Sequence, residues 1–255
     1  MSIESLPLLL KGLRLPSILA SYESIALQAR KNSWDYPEYL AELVDQEAQG
    51  RFRRRIARHI KEASLPLEKT FETLDEKKFP PNLRRALAQL EKGDFIGRAQ
   101  NVLLFGNPGT GKTHVAAALS YKLIERGHRV IFAPAYALVQ RLLAAKASLE
   151  LDRYLDKLDK YDAIVLDDIG YIKQDRDEME VLFTFFAQRY ERKSLIITSN
   201  LVFSEWDKIF KDPMTTAAAI DRLVHHSTII EMVGDSFRQQ AAKDRKTAKN
   251  GVNNR

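Results

Sequence analysis

The chain contains no cysteine. Disulfides, thiol nucleophiles and cysteine-ligated zinc are thereby excluded. Histidine is scarce, with five residues, and only His225 and His226 lie close in sequence. Neighbouring residues on a helix point in different directions, so this pair is read as structural. Long apolar runs are also missing: no stretch approaches the ~20 residues of a membrane span. The apolar run from Leu6 to Leu15 is broken by Pro7, Lys11, Gly12 and Arg14 and lacks the layout of a signal peptide. A cytoplasmic protein with no membrane contact is expected.

What is present suits a globular chain. Its 255 residues, 45% of them hydrophobic, allow one core domain with a smaller appendage. Forty Lys and Arg residues against 34 acids leave a net charge of +6, which points to an anionic partner such as nucleic acid. Residues 1–66 read as a small all-helical domain for self-association, DNA contact or both. A helix is expected over Leu8 to Ala29, limited or kinked by Pro16, with a connection from Asn32 to Pro37. In a second helix Leu40, Val44, Ala48, Phe52, Ile56 and Ile60 recur every fourth residue and are expected to pack inward. Residues 67–242 alternate short apolar runs with helical patterns, which predicts a parallel sheet with helices on both faces. The Lys-, Asn- and Arg-rich residues 243–255 read as a disordered basic tail.

The segment Gly106-Asn107-Pro108-Gly109-Thr110-Gly111-Lys112-Thr113 fits the phosphate-loop pattern G-x-x-x-x-G-K-[ST]. Glycines let backbone N–H groups turn toward anionic oxygens. Lys112 is placed to reach the β- and γ-phosphates, and Thr113 to coordinate Mg²⁺. His114 belongs to the same candidate nucleotide site. A strand is expected before the loop and a helix after it, with the helix dipole favouring phosphate. The apolar run Ile164-Val165-Leu166 ends in Asp167 and Asp168. In a parallel sheet these carboxylates lie at the ligand-binding edge. Asp167 is the candidate Mg²⁺ ligand, and Asp168 the group that orients or deprotonates water. Leu195 to Asn200 is a further strand, and its terminal amide either holds the lytic water or merely ends the strand in a turn.

These residues together resemble the AAA+ superfamily of P-loop NTPases. Within it, Asn101 to Ala117, Ala163 to Ile172, Arg189 to Trp206 and Ala219 to Arg238 are similar to the DnaC/IstB group. The N-terminal helical segment resembles the IstB branch, ATPase helpers encoded beside the IstA transposase in bacterial insertion sequences. The resemblance implies an ATPase using ATP and Mg²⁺ that assembles as a homo-oligomer on duplex DNA and recruits or stimulates a transposase. A single-strand-binding helicase loader of the DnaC kind is the alternative, and a DNA-bending scaffold or a metabolic kinase are weaker ones. It also implies that Arg222 is an arginine finger acting in a neighbouring subunit, where the residues alone leave a surface salt bridge with Asp221 equally open. Arg238 falls at a second sensor position. The 55 residues after Asn200 are too few for the usual lid, so that lid is expected to be reduced or absent. Most members carry Glu at the position of Asp168, and the shorter arm predicts slow hydrolysis. Phe71 and Leu74 fall where the family contacts adenine, and ordinary core packing explains them as readily.

Three regions are candidate DNA contacts. The first holds Arg51, Arg53, Arg54 and Arg58, in a run with no acid before Glu62. The second holds Arg141 and Lys146, and the third is the loop bearing Lys173. Lys and Arg contacts to phosphate give affinity without sequence preference.

Overall fold

The computed structural model describes residues 3–171, 175–201, 205–206 and 213–232. The chain divides into two compact units, at residues 58 and 59. In the first, helices α1 (Leu6–Gly12) and α2 (Pro16–Asn32) precede α3 (Tyr36–Glu62), which runs on into the second unit. Pro16 does not kink one long helix. It opens α2, where its missing N–H is no loss and its fixed φ fits the first turn. Leu10, Ile18, Ile25 and Leu43 form the small core of this unit, with Trp34 and Tyr39 packed against it.

The expected inward stripe on α3 is corrected. Leu40 is 59% exposed and Val44 55%, and Ala48, Phe52 and Ile60 are exposed as well. An α-helix turns 100° per residue, so a strict four-residue spacing drifts about 40° per step and about 200° from Leu40 to Ile60. Such a set winds round the helix and cannot stay on one side. Up to residue 58 the buried positions are Leu43, Glu47 and Gly50, whose spacing of four and three residues holds one face, and His59 is buried farther along the helix.

The second unit contains α4 (Pro81–Leu90) and α5 (Asp94–Gly97), followed by β1 (Asn101–Phe105), α6 (Lys112–Glu125) and β2 (Val130–Pro134). Next come α7 (Ala135–Ala147), α8 (Leu151–Leu158), β3 (Ala163–Asp167), α9 (Arg176–Arg189), β4 (Ser194–Ser199), α10 (Pro213–Val224) and β5 (Ser227–Glu231). The five strands are parallel, in the order β2-β3-β4-β1-β5. β1, β3 and β4 are almost wholly buried, as strands covered by helices on both faces must be. Leu103, Ile164 and Ile197 of the sheet join Leu142, Leu182 and Phe185 of the helices in the main core. Among the described residues no helix is long and apolar enough to cross a membrane. The expected reduced lid and the basic tail fall on residues after 232, outside the described ones.

Arg189 is a buried polar anchor beneath this sheet. Its guanidinium donates to the carbonyls of Leu158, Tyr161 and Ser194 at 3.0–3.2 Å. Burial, partly offset by the charges of Asp159 and Asp162, brings it down to about 10. It holds the C-terminal end of α9 against the chain entering β3 and β4.

Candidate nucleotide site

Parallel strands end on one side, so the loops after β1, β3 and β4 meet at a single edge. The first is the glycine-rich loop. Gly106, Gly109 and Gly111 have φ of 148°, 89° and 96°, values costly for any residue with a Cβ. At Gly106 a Cβ would run into the Met232 carbonyl oxygen and approach the Thr110 hydroxyl at 3.1 Å. Thr110 closes the turn by donating to the Asn107 carbonyl at 2.9 Å, while Asn107 and Pro108 are exposed at its tip. Gly111 caps α6. The ammonium of buried Lys112 is folded into the loop, donating to the carbonyls of Gly106 at 2.6 Å and Asn107 at 3.0 Å.

The tip of β3 is bound to that of β4 through one hydroxyl. Thr198 donates to Asp167 Oδ1 at 2.7 Å and accepts from the Asp168 backbone N–H at 2.8 Å. Asp168 takes a left-handed backbone, φ 59°, an arrangement that persists only where surroundings impose it. The Thr113 side chain, in the first turn of α6, is near enough to Asp167 to help lower its carboxyl. Burial pushes the Asp167 carboxyl above its usual range. The Asp168 charge adds to this, while the bond from Thr198, the Thr113 side chain and the nearby Lys69 work against it.

Asn200 follows β4, and its Oδ1 is buried with no hydrogen-bond partner. A Cβ at Gly170 would overlap that same oxygen, so the loop after β3 passes directly over the amide. An unpartnered buried polar atom costs about 1–3 kcal/mol and marks a position open to an incoming donor. The edge therefore offers a cradle for phosphates, a buried cation, two oxygen ligands suited to a hard metal and an unsatisfied amide. Its residues fit a nucleoside triphosphate with Mg²⁺.

His114, just inside α6, contacts the Thr70 carbonyl at 2.9 Å and the Thr73 hydroxyl at 3.2 Å. It thereby ties the segment carrying half-buried Phe71 and Leu74 to the start of α6. Arg222 on α10 makes a contact that sequence reasoning did not consider. Instead of pairing with Asp221, its guanidinium lies 4.3 Å from the centre of the Phe183 ring, and Nη1 is buried without a hydrogen-bond partner. Arg238 and Lys173 lie outside the described residues.

The candidate DNA arginines separate into two groups. Buried Glu47 accepts from the N–H groups of Ser17 and Ile18 at the start of α2, and pairs with Arg51 at 3.0 Å and Arg54 at 2.9 Å. Burial works to raise this carboxyl, but the two arginines and the two amides outweigh it and hold it below its usual range. The acid missing from the basic run is thus supplied one helical turn earlier. Arg53, Arg58 and Arg141 are exposed. Lys146 is held between Asp177 at 3.1 Å and Glu180 at 2.9 Å.

Three site neighbours escaped the sequence reading. Thr198 was hidden inside an apolar strand, although its place two residues before Asn200 put it beside the β3 tip. Gly170 lacked any motif. Lys69 lies about thirty positions before β1 and carries no local signal.

The family model described as IstB-like ATP binding protein matches residues 8–245. An insertion-sequence ATP-binding protein of Sinorhizobium fredii is 42% identical over 94% of this chain and 81% of its own length. The insertion sequence IS21 ATP-binding protein of Pseudomonas aeruginosa is 38% identical over 92% and 89%. Domain III of the Thermotoga maritima replication initiation protein DnaA is similar in structure, with a TM-score of 0.57 at 18% identity, covering 74% of this chain and 76% of that one. AMPPCP-bound DnaA from Aquifex aeolicus gives 0.54 at 19% identity over 71% of this chain, which spans 56% of that longer protein. The fold is that of an AAA+ P-loop core.

Proposed function

The chain belongs to the family of IstB-like ATP-binding proteins encoded by insertion sequences, and on that premise we propose that it is an ATP-hydrolysing regulator of DNA transposition. In this reading it assembles on duplex DNA and recruits or stimulates the transposase of the same element. The observation that carries the catalytic part is the meeting, at one sheet edge, of the glycine loop, the Asp167–Thr198 pair and the unpartnered Asn200 oxygen.

Each side chain has a task in this reading. Lys112 exchanges loop carbonyls for phosphate oxygens. Thr113 and Asp167 would hold Mg²⁺, which would supply positive charge to offset the negative charge on the phosphates. Asp168 orients water, with its direction set by the backbone N–H bond to Thr198, and Asn200 Nδ2 or Oδ1 senses the outermost phosphate or the water. Phe71 and Leu74 take the adenine. Arg222 leaves Phe183 and enters the site of an adjoining subunit, so hydrolysis depends on assembly.

Thr198→Val tests the tip geometry. The substitution removes a bond that lowers the Asp167 carboxyl, so that carboxyl moves further up. Metal binding needs the deprotonated form, so the acid limb of the ATPase profile moves to higher pH and the Mg²⁺ requirement rises about tenfold. Thr198→Ser retains the wild-type profile. An unchanged acid limb in the valine variant would count against Asp167 as the metal ligand.

DNA contact is assigned to the exposed Arg53, Arg58 and Arg141 ahead of Arg51, Arg54 and Lys146, whose charges are already matched. Binding to duplex and single-stranded DNA is measured with and without ATP at several salt concentrations. ATP-dependent, cooperative binding to duplex is expected. Changing Arg53 or Arg58 to Gln should reduce the slope of log affinity against log salt by about one each, with less effect from Lys146→Gln. Preference for single strands would favour helicase loading, and no binding to either would remove DNA from the function.

A further inference from the structure

The edge of the sheet opposite the nucleotide site carries a second cluster. Glu191 follows α9, on the path into β4, and His225 and His226 form the turn between α10 and β5. The earlier reading of the histidines as diverging neighbours on a helix is corrected: in the turn both face one carboxylate. Glu191 Oε1 lies 3.6 Å from His226 Nε2 and 4.0 Å from His225 Nδ1, and the three atoms lie within 4.8 Å of one another. The two rings are 4.2 Å apart between centres. Glu191 reaches this position through a left-handed backbone, φ 55°.

We propose that Glu191, His225 and His226 form a binding site for a divalent cation of the zinc class, separate from the Mg²⁺ of the nucleotide. Two imidazoles and one carboxylate are a donor set suited to zinc, and three protein ligands leave a fourth position for water. Magnesium prefers an all-oxygen, largely hydrated shell and competes poorly for such donors. In a tetrahedral zinc site with bonds near 2.0–2.1 Å, ligand atoms stand about 3.3 Å apart. The observed spacings, all within 4.8 Å, need contractions of at most about 1.5 Å in three exposed side chains. Tyr190 competes for one ligand atom: its hydroxyl lies 2.9 Å from His225 Nδ1, and its ring stacks on that imidazole. Metal binding displaces this bond while the stacked ring keeps the imidazole oriented.

The site joins two connections, from α9 to β4 and from α10 to β5. The His225 N–H already closes the last turn of α10 on the Asp221 carbonyl at 3.0 Å, and Arg222 lies three residues upstream. A bound cation therefore fixes the end of the helix that presents Arg222.

The test uses the untagged, metal-stripped full chain without nucleotide, titrated with zinc chloride in competition with a chromogenic chelator. One equivalent is expected to be retained with micromolar or tighter affinity and to survive millimolar magnesium. His226→Ala and Glu191→Gln should each weaken it about tenfold or more while ATP affinity stays at the wild-type level. Tyr190→Phe should keep or strengthen zinc binding, because it removes the competing hydroxyl. The proposal is overturned if no equivalent is retained, or if the two ligand variants hold zinc as tightly as wild type. Neither result touches the nucleotide assignment, which the ATP measurement reads separately.

Discussion

Lys112→Ala is expected to remove ATP-dependent behaviour altogether. The ammonium lies inside the glycine loop, 2.6 Å from the Gly106 carbonyl, and is the only side-chain cation within that loop's sequence. Charge-assisted bonds to phosphate contribute about 1.5–3 kcal/mol each, so losing two lowers nucleotide affinity by about 10²-fold or more. The loss of charge stabilisation as the phosphoryl group transfers lowers turnover by about 10²–10³ beyond that. Equilibrium nucleotide binding and steady-state hydrolysis check both. The variant should still fold, because the freed carbonyls sit in a loop with an exposed tip and are open to water. A variant with near-wild-type ATP affinity would remove Lys112 from the phosphate site.

Arg222→Ala is expected to leave ATP affinity intact and to lower turnover about 10³-fold, the scale of an arginine finger. The guanidinium is stacked on Phe183 of its own chain with Nη1 unpartnered. Leaving that place costs about 1–2 kcal/mol of cation–π attraction and gives the buried nitrogen a hydrogen-bond partner. Mixing Arg222→Ala with Lys112→Ala protein separates the two roles. The first has a sound nucleotide site and lacks a finger, and the second has a finger but no nucleotide. If the finger acts between subunits, the mixture regains activity that neither variant shows. If instead Arg222→Ala lowers Tm with turnover unchanged, the residue only packs against Phe183.

The core of the fold was legible because its signals are local. The loop from Gly106 to Thr113 is a fixed spacing, and short apolar runs such as Ile164 to Leu166, alternating with helical patterns, suit strands buried on both faces. The short helices α4, α5 and α8 were passed over, since their few residues leave little room for a period to repeat. The basic run of α3 misled in a different way. Its balancing acid, Glu47, lies just before the cluster, and its second task of holding the start of α2 joins residues thirty positions apart. The reading of His225 and His226 as helical neighbours failed because both lie in the turn after α10. At the nucleotide edge the pattern named the groups on the strand tips. It did not name Thr198, whose importance comes from pairing across the sheet.

Asp168 shows how arm length and backbone twist compensate. Its carboxylate is carried by a left-handed residue whose N–H is tied to Thr198, so the starting point and direction of the side chain are set before any rotamer is chosen. A glutamate would leave the same backbone N–H for Thr198 and carry its carboxylate one methylene farther out. Thr198 thus sets the direction of whatever side chain stands at position 168, and a change at 198 re-aims the carboxylate without touching it.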